Sequence, residues 1–341
     1  MKLVIQIPCF NEHDQLAETI ADLPRVVEGV DAIEVLVVDD GSTDGTAEQA
    51  AALGVHHVVR FPRNRGLSAA FSAGLDAATR LGADVVVNTD ADNQYRGSDI
   101  ARLVAPILAG RADVVVGDRQ TDKIAHFSWL KRRMQSWGSR LVRSASGTRV
   151  ADATSGFRAF NRKAACRLFV HNRFTYTVET IIQGGRAGLV FENVAIDTNP
   201  KTRPSRLFSS IAQYLRRNGP VILRAYAMYR PVQTFAGVSL AFFVVGAALI
   251  GRFVYYFASD PHRSGHTQSL VVAVGFVIVA VLVAVVAMLS ELLAANRRLL
   301  EELVERTRRI DAQLGLRAIG RGEPIWGITS TGASAWRREG P

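Results

Sequence analysis

Cysteine is almost absent: the 341 residues hold only Cys9 and Cys166, too few for a disulfide scaffold and most simply two reduced thiols. Both glycine-rich nucleotide loops are missing. No G-x-G-x-x-G follows a strand-like run and no G-x-x-x-x-G-K-[ST] occurs, which disfavours dinucleotide and P-loop chemistry. No apolar leader is expected either, because Met1–Pro8 turns polar too early for the h-region of a signal peptide. Charge of one sign is absent from the first part of the chain. Residues 1–200 carry 23 basic and 23 acidic side chains, so the whole formal excess of +10 follows residue 200. A nucleic-acid binder could concentrate charge this way. Here the basic clusters flank two uncharged apolar stretches, which selects anionic lipid and argues against nucleic acid.

Those stretches are Val232–Gly251 and Gln268–Ser290, each long enough to cross a hydrocarbon core of about 30 Å. With Arg252 able to snorkel, they read as transmembrane helices over about 232–257 and 268–290, joined by the short link Asp260–Thr267 into a hairpin. Arg216, Arg217, Arg224 and Arg230 precede the first span and Arg297, Arg298, Arg306, Arg308 and Arg309 follow the second, against Arg252 and Arg263 at the tip. By the positive-inside rule the N-terminal domain and both termini are expected in the cytoplasm. Gly237, Gly246, Gly251 and Gly275 offer small-residue surfaces through which the hairpin could meet copies of itself.

In the soluble part, β-branched runs alternate with helix-length segments. The expected strands are Leu3–Ile7, Ile33–Val38, His57–Phe61, Asp84–Thr89 and Asp113–Gly117, and the expected helices Gln15–Leu23, Thr46–Leu53, Leu67–Leu81 and Asp99–Ala109. This alternation predicts an α/β fold, a mostly parallel sheet with flanking helices. Polar residues follow the strands: Asn11-Glu12, Asp39-Asp40-Gly41-Ser42, Asp90-Ala91-Asp92 and Asp118-Arg119. In a parallel sheet they converge on one rim, where ligands bind. The pair Asp90 and Asp92 ends the apolar run Val85-Val86-Val87, and two carboxylates at a strand tip can hold a divalent cation bridging nucleotide phosphates. Gly41–Thr46 reads as a tight turn into a helix with Asp44 or Ser42 as its N-cap.

Beyond the fifth strand, Phe127–Arg143 and Arg206–Arg230 read as basic amphipathic helices at a membrane surface or an anionic ligand. A charged helix is expected from Ala294 to about Leu314, and a loose tail after Gly315. The chain therefore divides into a catalytic domain over 1–200, interfacial helices over 201–230, the hairpin over 231–293 and a basic C-terminal helix and tail over 294–341.

Five segments together carry a resemblance: Pro8-Cys9-Phe10-Asn11-Glu12, Val38–Thr46, Asn64-Arg65-Gly66-Leu67, Thr89–Gln94 and Thr154-Ser155-Gly156-Phe157-Arg158. In this order they resemble the inverting family 2 glycosyltransferases with the GT-A fold. Within that family the likeness is to the dolichyl-phosphate mannose synthase and polyprenyl-phosphate sugar transferase branch, over roughly residues 1–230.

The resemblance implies a UDP- or GDP-linked sugar donor and a polyprenyl phosphate acceptor. Pro8, Phe10, Glu12 and Asp39 match positions around the base and ribose, with Asp90 on the nucleotide side of the metal site. Asp90, Asp92 and Gln94 match the site of Mg²⁺ or Mn²⁺. Arg119, Arg132 and Ser136 match contacts to the acceptor phosphate, and Asp152 is expected near the reacting phosphate as an orienting residue or weak base. One departure concerns the family's Arg and Gly-x-Ser-Lys element, which is replaced here by Asn199–Arg206. Of Lys201, Arg203 and Arg206, Arg203 is the expected phosphate contact. A processive polysaccharide synthase is disfavoured, since Gln213–Arg217 lacks the Trp of the Gln-x-x-Arg-Trp element and two helices cannot enclose a glycan channel. A membrane-tethered nucleotide-sugar scaffold without turnover would have no need of a metal-competent acidic pair.

Overall fold

The apolar β-branched runs form the strands that the alternation predicts. In the computed structural model, residues 1–120, 142–143, 146–170, 176–199, 231–259, 267–313 and 328–337 are described. They fall into one unit of residues 1–219 with 301–341 and a second of residues 220–300. The first follows the order β1 (Lys2–Cys9), α1 (His13–Asp22), β2 (Ala32–Asp39), α2 (Thr46–Ala52), β3 (His57–Arg60), α3 (Leu67–Arg80), β4 (Val85–Asn88), α4 (Ile100–Leu108), β5 (Val114–Asp118), β6 (Arg158–Asn161), α5 (Arg162–Arg167), α6 (Thr177–Arg186) and β7 (Phe191–Ala195). Two long helices follow, α7 (Pro231–Ser259) and α8 (Thr267–Gln313), then β8 (Ile328–Ser330) and β9 (Trp336–Arg337).

The sheet runs β7-β5-β6-β4-β1-β2-β3-β8, with β9 beside β2. β1, β2, β3 and β4 are parallel, as are β5 and β7. β6 is inserted antiparallel between β4 and β5. Two antiparallel steps restore direction, so β5 points the same way as β4. The ends of β1, β2, β4 and β5 therefore open on one rim, and because β6 runs back, the loop that enters it opens there as well. Leu3, Ile5, Ile7, Val35, Val37, Val85 and Val87 are buried in the core beneath that rim.

On β2, Glu34 Oε2 lies 2.8 Å from both Lys2 Nζ and His57 Nε2. Burial raises the Glu34 pKa, but His57 and Lys2 outweigh it and hold the carboxyl down at about 2, against an ordinary 4.5. A depressed carboxyl stabilises the fold above its unfolded pKa and loses that contribution as it protonates. Stability from this cluster is thus expected to vanish as pH falls from 4.5 to about 2. Thermal melts across that interval should show the loss in the unaltered chain and a flatter profile in Glu34→Gln.

The C-terminal end corrects the expectation of a loose tail. Residues 314–327 lie outside the described residues, but β8 pairs antiparallel with β3, and β9 with β2. Trp336 sits 4.3 Å from the Arg25 guanidinium and 5.3 Å from the His56 ring, and His56 Nε2 bonds the Ser334 carbonyl at 3.0 Å. The tail covers the edge of β3, which would otherwise expose unpaired backbone groups. Because Trp336 is half-buried, Trp336→Ala should cost about 2 kcal/mol, below the 3–5 of a fully buried Trp, and lower Tm by about 4–8 °C. A melt of the full chain measures it.

The C-terminal turns of α8 also belong to the first unit. Arg308 donates to the Leu168 carbonyl at 3.0 Å, faces Asp76 at 3.6 Å and lies over the Phe169 ring. This charge, counted in sequence among those flanking the second span, is committed to a protein contact.

In the second unit α7 and α8 are antiparallel. Their segments Thr234–Ser259 and Thr267–Arg308 are long and apolar enough to cross a membrane, the most apolar 18-residue stretch of each having a mean hydropathy of 2.1 and 3.3 respectively. Ala273, Ala280 and Ala287 are buried at seven-residue intervals, the spacing of a seam between two helices. Ser239 Oγ bonds the Ala280 carbonyl at 2.8 Å. A Cβ on Gly246 would stand 2.9 Å from Val277 and 3.2 Å from the Ala273 carbonyl oxygen, so Gly246 sets the close approach inside the hairpin. Gly237, Gly251 and Gly275 face open space. The expected interfacial helices, save residues 142–143, and the tip 260–266 lie outside the described residues.

Candidate active site

The first two strand ends brace one another. The Asn11 N–H donates to Ser42 Oγ (2.9 Å), the Glu12 N–H to Thr46 Oγ1 (3.0 Å) and the His13 N–H to Asp44 Oδ2 (3.2 Å), while Asn11 Oδ1 accepts from the Thr43 N–H (2.9 Å). Asn11 adopts a left-handed φ of 54° to do so. These contacts correct the capping expectation: the N-cap of α2 is Gly45, at φ 84°, because Ser42 and Asp44 are engaged across the turn. Asp44 still accepts from the Thr46 N–H at 3.1 Å.

The adjacent acids Asp39 and Asp40, at the end of β2 and just beyond it, differ in role. Asp40 accepts from the Arg65 N–H (2.7 Å) and the Gly66 N–H (2.8 Å), fixing the entry to α3. Gly41 makes that closeness possible, since a Cβ there would lie 2.5 Å from the Arg63 carbonyl carbon. Asp39 is buried, and its Oδ1 accepts from the Ser42 N–H at 3.0 Å. Its Oδ2 has no hydrogen bond and stands 3.4 Å from Arg60 Nε. An oriented buried acceptor of this kind suits an N–H or hydroxyl of a ligand. Pro8 is buried at the end of β1, Phe10 is exposed just beyond it and Glu12 is half-buried. The Cys9 thiol beneath them is pushed well up by burial and then by Glu12, Asp39, Asp44 and Asp90, so the four carboxylates do share one rim.

At the end of β4, Asp90 and Asp92 are half-buried. Burial pushes the Asp90 carboxyl up to about 7; Asp92 and Glu12 push the same way, while Arg119 and Arg158 pull back. Asp92 Oδ1 accepts from the Gln94 N–H at 3.2 Å. Gly156 leaves space for the Asp90 carboxylate, because a Cβ there would meet its oxygens at 3.0 and 3.1 Å and the Tyr176 hydroxyl at 2.8 Å.

The chemistry of this donor set fits a hard divalent cation. The Asp90 and Asp92 carboxylates offer oxygen only, the preference of Mg²⁺ and Mn²⁺. Among the described residues no three His, Cys, Asp or Glu side chains cluster as ligands. One or two carboxylates completed by substrate phosphates is the usual pattern for Mg²⁺.

Across the rim, Arg119 forms a two-point pair with Asp152: Nε to Oδ2 at 2.7 Å and Nη2 to Oδ1 at 3.1 Å, with Nη2 also donating to Thr154 Oγ1 at 2.7 Å. Asp152 further accepts from the Thr154 N–H and hydroxyl. Burial raises the Asp152 pKa, but Arg119 and Thr154 outweigh it and hold the carboxyl below its ordinary value. Arg119 is correspondingly raised: burial opposes its charge, but Tyr95, Asp152 and Asp90 outweigh it.

Beneath the rim lies a polar network that the motifs did not disclose. Gln6 Nε2 donates to Asn88 Oδ1 (2.8 Å), Asn88 Nδ2 to the Gly156 carbonyl and the Tyr176 hydroxyl (both 2.9 Å), and the Gly156 N–H to the Tyr95 hydroxyl (3.1 Å). Tyr176 stacks on Phe71 at 3.9 Å. Arg158, fully buried, donates to the carbonyls of Ala153, Ser155 and Thr177 and to Thr180 Oγ1. Burial brings its pKa down to about 10. Its charge is one of those that pull the Asp90 carboxyl back down. The structure thus gathers Pro8, Phe10, Glu12, Asp39, Asp90, Asp92, Gln94, Arg119 and Asp152 around one rim; Arg132, Ser136 and Arg203 lie outside the described residues.

Over residues 4–169 the sequence matches glycosyl transferase family 2. A glycosyltransferase of Mycobacterium tuberculosis is 31% identical over 204 residues, 59% of this chain and 86% of that relative. The chain belongs to glycosyl transferase family 2. The polyprenol monophosphomannose synthase of Mycolicibacterium smegmatis is 31% identical over 169 residues, 48% of this chain and 62% of that enzyme, less than two thirds of its length. Among solved structures, glucosyl-3-phosphoglycerate synthase from Mycobacterium tuberculosis with phosphoglyceric acid aligns at TM-score 0.51 and 21% identity, covering 66% of this chain and 79% of that one. That likeness is one of fold, the GT-A fold. A further structure of the same synthase, at TM-score 0.49, holds Mn²⁺ and UDP-glucose.

Proposed function

We propose that this chain moves one sugar from a UDP- or GDP-linked donor to a polyprenyl phosphate, inverting the anomeric carbon and giving a lipid-linked monosaccharide. The observation that carries the reading is the rim itself: an acidic pair at the end of β4 faces a basic group, Arg119, at the end of β5. The likeness to the Mycolicibacterium polyprenol monophosphomannose synthase and the apolar hairpin support a lipid acceptor. In this reading the catalytic domain and both termini face the cytoplasm.

Asp39 and Glu12 hold the nucleoside at the ends of β1 and β2, between Pro8 and Phe10. Asp90 and Asp92, with Gln94, would hold Mg²⁺ or Mn²⁺. The ion supplies positive charge against the diphosphate that leaves. A phosphate monoester has a second pKa of about 6 and is largely ionised at neutral pH, so the nucleophile needs aim and neutralisation more than a base. Arg119 provides both. Asp152, held below its ordinary pKa, has little basicity left and acts by orienting Arg119. This favours the first of the two roles expected for it.

The test supplies full-length protein in detergent with Mg²⁺ or Mn²⁺, short-chain polyprenyl phosphate and labelled UDP-glucose, UDP-N-acetylglucosamine or GDP-mannose in turn. Label entering the organic phase with one donor supports the reading. If every donor binds and none labels the lipid, the transfer reading fails and a nucleotide-sugar scaffold takes its place.

A further inference from the structure

The loop after β4 carries two unfavourable features. Asn93, between Asp92 and Gln94, has a left-handed φ of 51°, and its buried Oδ1 has no partner. A non-glycine residue in that region persists only where its surroundings hold it. The hold comes from more than 100 residues away, where the chain leaves β7. Asn199 Nδ2 donates to the Asn93 carbonyl at 2.9 Å, and the Asn199 N–H donates to the Gln94 carbonyl, also at 2.9 Å. Thr198 pairs with Tyr95 in an isolated β-bridge. The Asp197 N–H donates to the buried Asp99 Oδ2 at 2.9 Å, which fixes the other end of the strap. Arg96 closes it from outside, with Nε on Asn199 Oδ1 at 3.3 Å and Nη1 3.6 Å from Asp197.

From this geometry we infer that Asn199 is a positioning residue for the Asp90–Gln94 loop: it holds the two carbonyls that follow Asp92 and so aims the carboxylates at the cation and diphosphate. The inference deepens the function proposed above and rests on its assignment of the acidic pair. Asn199 itself touches neither cation nor sugar. The amide is specifically suited to the task. It gives an N–H to Asn93 and an acceptor to Arg96 from one short side chain, whereas aspartate supplies only the acceptor and alanine neither.

The experiment titrates Mn²⁺ by electron paramagnetic resonance against the full-length protein, with UDP and separately with GDP, in the unaltered chain, Asn199→Ala, Asn199→Asp and Arg96→Ala. Loss of a group that orients metal ligands from outside costs about 10–100-fold in affinity, and that weakening is expected in Asn199→Ala and Asn199→Asp. Arg96→Ala, which leaves the bond to Asn93 in place, should weaken binding much less. Amide exchange should quicken over residues 93–96 in both Asn199 variants while the melting temperature holds, a local signature that a general loss of packing would not give. The assignment is overturned if Asn199→Ala binds Mn²⁺ as tightly as the unaltered chain, or if Arg96→Ala matches its loss. An unaltered chain that binds cation and nucleotide but moves no sugar to lipid phosphate would sink the transfer reading and leave the Asn199 result standing.

Discussion

Asp92→Asn is expected to lower sugar transfer about 10²–10³-fold, the scale on which enzymes lose rate when one preorganised group serving developing charge is removed. Thermal stability should stay equal or rise. Asparagine keeps the shape and can still accept from the Gln94 N–H, so the loop after β4 retains its local bond. What disappears is a negative charge that presses on Asp90. Sites built to bind charge hold like charges together at a cost to the empty fold, so their removal trades function for stability. Initial rates at saturating donor and acceptor, with melts in the same detergent, separate the two effects. A rate within tenfold of the unaltered chain would remove Asp92 from the reaction; a large fall in Tm would make its role structural.

Much of this architecture was legible because its signals are local. Val85-Val86-Val87 and Leu3–Ile7 announce buried strands by composition alone, and alternation with helices makes them parallel. Once parallel, their polar ends must share a rim, so Glu12, Asp39, Asp90, Asp92 and Arg119 could be gathered before any geometry was known. Illegible parts depend on partners distant in sequence. β6 hides behind Arg158, a charge inside a strand, which is tolerated because four acceptors from the flanking loop and α6 surround it. β7 carries a half-buried pattern with no clean alternation. β8 and β9 are three and two residues long, and neither would be a strand without β3 and β2 to pair with. Asp152 and Arg119 were each expected near phosphate, but their pairing spans 33 residues. Asn199 gave no signal at all, since a side chain that holds another loop's carbonyls has no periodicity and no motif.

That pairing leads to the second large effect. Arg119→Ala strips the guanidinium from Asp152, whose side chain is only 2% exposed, and leaves a buried carboxylate with Thr154 as its remaining donor. Breaking a buried pair from one side costs about 3–5 kcal/mol, a fall of about 6–20 °C in the Tm of a domain this size. Transfer should be lost as well, so the single variant cannot say whether Arg119 serves the acceptor or merely its partner. The double variant Arg119→Ala/Asp152→Ala distinguishes them. With no unpaired charge left inside, it should regain much of the lost Tm, since residues in one ion pair are strongly non-additive. If Arg119 neutralises and aims the acceptor phosphate, transfer stays lost in the stabilised double variant. If Arg119 only shields Asp152, transfer returns with the fold, and the basic group meeting the phosphate must be sought elsewhere on the rim. Stability and rate measured on the same three proteins decide between these, because one role predicts that they recover together and the other that they part.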